Sequence, residues 1–331
     1  MQRVGLNPYG LVYTLGLLGR GTPRANPEPL SVEGYVDLAA RLGAGGVELD
    51  GSMLLALDQG GLERIREQLL AEKMWVVVAS ALHRPAHLDV LALAPRLGAR
   101  VMRLALTTVL AGDRAALGAR WPELVQETRM RLRVAAARAR ELGVELALEN
   151  HQDFTSGELL GLCEEAGPGV GICMDTGNPL AVGESCDGFA RAVLPRLRHV
   201  HLKDYRVQTT REGFRLIRCA LGSGAVPMEP LLRSLADRDV TAALECGAHE
   251  ARHVRLLAPG FWDLYPPESA ARADRCLASL LPARVAPEAD HRTPWERGAA
   301  GAEILDFERA ELERSVAHLR ALGYWPAAPG S

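Results

Sequence analysis

The chain has 331 residues, a formal net charge of -3 and 48% hydrophobic side chains, so it can bury a large core. That length fits one large α/β barrel as well as two ordinary domains. Lysine plus arginine (38) nearly balances aspartate plus glutamate (41), which removes both a basic field for nucleic acid and an acidic field typical of disorder.

Short apolar strands alternate with longer amphipathic helices along most of the sequence, the signature of βα repeats around a parallel sheet. "RVGLNPYG" opens the sheet, and "SVEGYVDLAARLGA" follows as a helix with Ser31 as its N-cap. Next come the strand "GGVELDG", the helix "GGLERIREQLLAEK", the strand "MWVVVASALH" and a helix through "LDVLALAPRLGA". "RVMRLAL" reads as a strand and "WPELVQETRMRLRVAAARARELG" as a long helix. The pairs "VELALENH" with "TSGELLGLCEEAG", "VGICMDTGN" with "CDGFARAVLPRLR", and "HVHLKDY" with "PMEPLLRSLADRD" continue the theme, and "VTAALECG" completes it. Eight βα units without a long structureless break predict an α/β fold, a closed (β/α)8 TIM barrel over residues 1–255, with an open doubly wound sheet as the alternative. Residues 256–331 form a C-terminal extension in the same domain: a proline-rich excursion with a short helix, then the closing helix "AEILDFERAELERSVAHLRALG". The excursion covers the barrel mouth or a neighbouring subunit, or is a passive surface loop.

No run approaches the ~20 apolar residues of a membrane span. "LVYTLGLLG" is short, broken by glycine and without a basic leader or cleavage pattern. The cysteines at 163, 173, 186, 219, 246 and 276 contain no CxxC pair and read as free structural thiols in a reducing compartment. A soluble cytoplasmic protein is the expectation.

Side chains alternate along a strand, so parity sorts them. Leu146 and Leu148 share one face, and Ala147, Glu149 and His151 the other. By the same count Cys173 and Asp175 face inward, as do His199, His201 and Lys203, and Ala243 with Glu245. Four consecutive strands thus each bring one metal-binding group, Glu149, Asp175, His201 and Glu245, to their carboxyl ends. Adjacent strands lie ~4.8 Å apart, so the four converge at the top of the barrel, where such enzymes place active sites. A lone His201 would pass for a hydrogen-bonded core histidine, and a lone Glu149 for the partner of Arg103 or Lys203. Three carboxylates this close repel one another unless a cation joins them. One divalent ion is the simplest compensation, and the oxygen-rich set with one imidazole suits Mn²⁺ first, then Mg²⁺ or Co²⁺, with Zn²⁺ as an alternative.

In that order, "ALENH", "MDTGN", "HVHLKDY" and "ALECG" resemble the xylose isomerase-like TIM barrel superfamily. It includes the sugar phosphate isomerase/epimerase family, ketose 3-epimerases, inosose dehydratases and nucleases of the endonuclease IV type. The resemblance covers most of residues 1–255. It implies a divalent cation held by Glu149, Asp175, His201 and Glu245, with Glu149 and Glu245 also acting as base and acid on opposite faces of a carbohydrate. The chain departs from the ketose 3-epimerases at Asn178, where they carry a substrate-binding histidine, and in its longer segment after residue 255.

A cation chelated by a hydroxy-ketone acidifies the α-proton by stabilising the enediolate. A carboxylate within ~3 Å takes the proton and a second returns it. The expected activity is therefore sugar isomerisation or epimerisation. The alternative is a lyase or decarboxylase acting on a 3-keto sugar, keto-glycoside or keto-sugar acid. A DNA-repair nuclease of the same superfamily needs more strand-end histidines and a basic groove. Substrate contacts are expected from Glu48, His83, Arg103, His151, Asn178 and Lys203, with salt-bridge or supporting roles as the other reading. Arg206 and Arg218 lie in a segment that either receives a phosphate or carboxylate or forms a β-hairpin with solvated arginines. His249 and His253 are further metal ligands or outward helix residues. Phe261, Trp262 and Tyr265 read as exposed aromatics at a lid or subunit contact, in keeping with a homo-oligomer or a partner subunit.

Overall fold

A computed structural model describes residues 3–326. The strands are β1 (Gly5–Leu6), β2 (Gly46–Asp50), β3 (Trp75–Ala81), β4 (Val101–Ala105), β5 (Glu145–Glu149), β6 (Val170–Asp175), β7 (Leu197–Leu202), β8 (Tyr205–Thr210), β9 (Gly213–Arg218), β10 (Thr241–Leu244) and β11 (Arg252–Val254). The helices are α1 (Val32–Leu42), α2 (Gly51–Leu54), α3 (Gln59–Ala71), α4 (His87–Leu97), α5 (Arg120–Leu142), α6 (Ser156–Ala166), α7 (Cys186–Val193), α8 (Met228–Leu235), α9 (Ser269–Leu280) and α10 (Gly301–Ala321). Among the described residues, β1 to β7 and then β10 close a parallel barrel, with β10 pairing back to β1. The chain is thus an α/β protein with a (β/α)8 TIM barrel. No helix of the described residues is long and apolar enough to cross a membrane.

Local chemistry starts and stops these elements where the sequence says. Ser31 Oγ accepts from the Gly34 N–H to cap α1, and Gly43 ends that helix in the left-handed conformation at φ 79°, open to a residue without Cβ. Thr155 and Glu158 form a reciprocal capping box at α6, immediately after the loop that leaves β5.

The barrel wall separates two kinds of side chain. Leu146, Leu148, Ile172, Met174, Val200, Leu202, Ala242 and Leu244 join the main core between strands and helices. The opposite face carries Ala147, Cys173, Ala243 and Ala79, whose small volumes leave room inside for the buried polar residues Glu48, Arg103, His199 and His201. Register aligns these groups: Glu149 pairs with Cys173 and Cys173 with His199, while Asp175 pairs with His201 and His201 with Ala243.

After β7 the chain leaves the barrel. β8 and β9 form an antiparallel hairpin and β11 adds a third strand. Tyr205, Val207, Phe214 and Leu216 pack there against Leu180 to Val182 and against Phe261, Tyr265, Cys276 and Leu280. The aromatic trio is therefore not exposed: Phe261 and Tyr265 are buried and Trp262 half-buried, because the hairpin supplies an apolar face that the excursion covers. The six cysteines are free and buried.

Candidate metal centre and active site

The end of β5 explains why an apolar strand terminates in Glu149, Asn150 and His151. Asn150 is a backbone brace: its Nδ2 donates to the Asp175 carbonyl at 2.9 Å, and its Oδ1 accepts from the Asp175 N–H at 2.6 Å. Asp175 Oδ1 in turn accepts from the N–H groups of Gly177 and Asn178 at 2.9 and 3.0 Å, so its Oδ2 is turned toward the barrel axis. Potential ligand atoms of Glu149, Asp175, His201 and Glu245 all lie within 4.8 Å of one another, and all four residues are buried.

One atom from each, namely Glu149 Oε2, Asp175 Oδ2, His201 Nδ1 and Glu245 Oε2, is buried without a well-directed hydrogen bond. Their contacts are ionic. Arg103 Nη1 is 3.4 Å from Glu149 Oε2, Lys203 Nζ is 2.5 Å from Asp175 Oδ2 and also contacts Glu245, and His201 Nδ1 is 3.1 Å from Glu245 Oε2. Buried polar atoms are ordinarily satisfied. Three carboxylates and an imidazole with these lone pairs directed at one locus are a donor set for a hard or borderline divalent cation.

The ion pairs set the charge state. Burial raises the Glu245 carboxyl, but Lys203 and His201 outweigh it and the group sits below its ordinary value. Glu149 is likewise lowered, against burial, by Arg103 and His151. Asp175 stays raised, since burial and the two neighbouring glutamates exceed the pull of Lys203. Lys203 is held well above its usual range, burial being overcome by Asp175 and Glu245.

Glu48 lies below this layer rather than in the cavity. Fully buried, it takes Arg103 Nε and Nη2 on Oε1 at 3.2 and 3.1 Å, and His199 Nε2 and His201 Nε2 on Oε2 at 3.1 and 2.8 Å. A carboxylate on the far nitrogen of a histidine fixes its tautomer, here leaving His201 Nδ1 toward Glu149 and Glu245. The inward parity of Glu48 was the available signal, but parity cannot say at which depth a long side chain ends.

Above the cluster is a cavity of about 540 Å³. Glu149 and Glu245 open onto it together with His83, Arg103, His151, Asn178 and Lys203. His83 is exposed at its mouth, and burial holds the His151 imidazole below its ordinary value. Asn178 Oδ1 accepts from Gln152 Nε2 at 2.9 Å, while its Nδ2 is buried without a partner. Arg206 is not brought to this cavity: it lies on the exposed face of β8, because the segment after Lys203 forms the hairpin and not an anion-binding loop. Arg218 is buried in β9 and spends its guanidinium on the carbonyls of Gly247 and Gly10, both at 2.9 Å. His249 and His253 are neither helical nor part of the four-residue cluster: His249 pairs with Glu308 and His253 sits on β11. Sequence reasoning missed Tyr9, whose hydroxyl donates to Asp50 Oδ2 at 2.5 Å and whose ring lies under Arg103 at the cavity wall.

Comparison with known proteins agrees with this fold. The family described as "Xylose isomerase-like TIM barrel" matches residues 36–276. The 3-oxo-isoapionate decarboxylase of Pectobacterium atrosepticum is 22% identical over 249 residues, 73% of this chain and 84% of that protein. Among solved structures, the probable 3-DHS dehydratase AsbF from Bacillus anthracis superposes with a TM-score of 0.56 at 16% identity, covering 82% of this chain and 97% of that one. The 3-keto-D-glucoside 4-epimerase YcjR from E. coli superposes with a TM-score of 0.53 at 14% identity, covering 85% and 100%. At these identities the structures speak to the fold alone, whereas the family match spans most of the chain: the protein belongs to the xylose isomerase-like TIM barrel family.

Proposed function

We propose that the protein is a divalent-metal-dependent isomerase or epimerase that moves a proton on the carbon next to a sugar carbonyl. The observation that carries this reading is the pairing of Glu149 and Glu245. Both are buried at the same end of the barrel, both open onto one cavity, and both have an oxygen free of hydrogen bonds. Glu149, Asp175, His201 and Glu245 would hold the cation. A divalent ion there supplies positive charge that stabilises negative charge developing on a substrate oxygen.

The chain's own groups do the rest. Glu149 or Glu245, ionised through Arg103 and Lys203 respectively, takes the proton from the α-carbon, and the other returns one. Lys203, beside Glu245 and at the cavity wall, is also placed to donate to a substrate oxygen. His151 and Asn178 offer buried polar atoms without partners to the sugar's hydroxyls.

A second reading, decarboxylation of a 3-keto sugar acid, is favoured by the resemblance to the Pectobacterium decarboxylase. The two separate cleanly. Mn²⁺-loaded protein incubated in D₂O with D-fructose, D-psicose, D-tagatose or L-ribulose should place deuterium next to the carbonyl. Release of carbon dioxide from a 3-keto acid, with none of these ketoses labelled, favours the second reading, and neither signal rejects both.

A further inference from the structure

His249 is a cavity-wall residue that the four clustered ligands do not account for. It lies four residues beyond Glu245, is 2% exposed, and its Nε2 stands 2.8 Å from Glu308 Oε1. Its Nδ1 is buried with no hydrogen-bond partner.

Glu308 is fully buried on α10, beyond the segment that matches the family. Its carboxylate also accepts from the Tyr13 N–H at 2.9 Å, the Thr14 N–H at 2.8 Å and the Thr14 hydroxyl at 2.7 Å. An ionised carboxylate has no proton to give, so the proton of the His249 contact belongs to Nε2. In a neutral imidazole Nδ1 is then a bare acceptor. The surrounding backbone is held by the same C-terminal segment: Thr293 Oγ1 donates to the His249 carbonyl at 2.6 Å, and Glu296 accepts from the Ala251 N–H at 3.1 Å. A buried acceptor left without a donor is destabilising, and a ligand hydroxyl removes that cost.

We propose that His249, fixed in its Nε2–H tautomer by Glu308, accepts a hydrogen bond through Nδ1 from a hydroxyl of the bound sugar. His249 is then a specificity-determining residue and Glu308 its positioning residue, delivered to the active site by the C-terminal helix. The assignment rests on the sugar reading given above for the identity of the ligand, though the tautomer does not.

Two measurements test it. In the Mg²⁺-loaded protein with ¹⁵N-labelled histidine, the His249 imidazole should show an unprotonated Nδ1 and a protonated Nε2. A proton on Nδ1, or on both nitrogens, overturns the proposal without any variant having to fold. For a ketose that exchanges its α-hydrogen in D₂O, His249→Phe should raise KM about tenfold while changing kcat by less than about threefold, as loss of binding common to ground and transition states requires. Glu308→Gln should give a smaller rise in KM and the appearance of the Nδ1–H tautomer. An unchanged KM in His249→Phe refutes the contact. If no ketose exchanges, the isomerase reading fails, and the tautomer still decides whether Glu308 orients His249.

Discussion

Glu48→Gln keeps the shape of a side chain at the centre of the barrel and removes its charge. Native Glu48 serves four nitrogens, two from Arg103 on Oε1 and one each from His199 and His201 on Oε2. Glutamine has one acceptor oxygen for them. If that oxygen stays with Arg103, the amide N–H meets His201 Nε2 and the imidazole proton moves to Nδ1, the nitrogen 3.3 Å from Glu149 and 3.1 Å from Glu245. A protonated Nδ1 cannot ligate a cation. Loss of such a partner behind a ligand typically weakens metal affinity about 10–100-fold, which is roughly 1.4–2.7 kcal/mol. Breaking a buried ion pair costs about 3–5 kcal/mol, and the lower end applies because Arg103 retains Glu149 at 3.4 Å. Calorimetric titration of chelator-stripped protein with Mn²⁺, beside urea unfolding without metal, measures both quantities. A Mn²⁺ affinity within twofold of wild type would refute the tautomer argument even if stability fell.

Glu245→Gln should reduce α-hydrogen exchange by at least about 10²-fold while Mn²⁺ binding is only weakened; exchange at the native rate removes Glu245 from the proton path. Lys203→Met strips Asp175 and Glu245 of their cation, so in chelator the unfolding midpoint should drop and added Mn²⁺ should restore more stability than it adds to wild type; equal gains in both would contradict the view that Lys203 and the ion compensate the same carboxylates. Asp153, buried with Thr107 Oγ1 donating to it at 2.8 Å, is pushed up to about 7 by burial. Between its unfolded value near 3.9 and about 7 the native state binds more protons than the unfolded state, so this residue's contribution is full at low pH and is lost as pH rises through about 7. Thermal midpoints of Asp153→Asn relative to wild type should therefore shift in the variant's favour from pH 5 to pH 8, and a pH-independent difference would count against a neutral Asp153.

The barrel was legible from the alternation of apolar strands with amphipathic helices, and the convergence of Glu149, Asp175, His201 and Glu245 from strand parity, which survives small errors of boundary. Glu48 and Arg103 had the right face but not their depth: each side chain is long enough to end in the wall or beneath it, and neighbours set the outcome. The segment carrying Arg206 takes the hairpin alternative, and the same hairpin explains why the aromatic trio is not exposed. A hairpin inserted between β7 and α8 turns Arg206 to solvent and gives Phe261 and Tyr265 a surface to cover, and the local composition of "RVQTTREGFRLIR" fits a loop as well as a hairpin. The His249–Glu308 pair spans 59 residues and joins a loop to a helix with no shared periodicity, so only tertiary structure brings it into view.

Elemental analysis of protein purified without chelators, joined to anomalous diffraction from the same preparation, decides whether the four clustered groups hold an ion. One divalent ion per chain is expected, bonded to Glu149, Asp175, His201 and Glu245, with His201 bound through Nδ1. A metal-free protein in which Lys203 alone bridges the carboxylates, or an ion bound elsewhere, would contradict it.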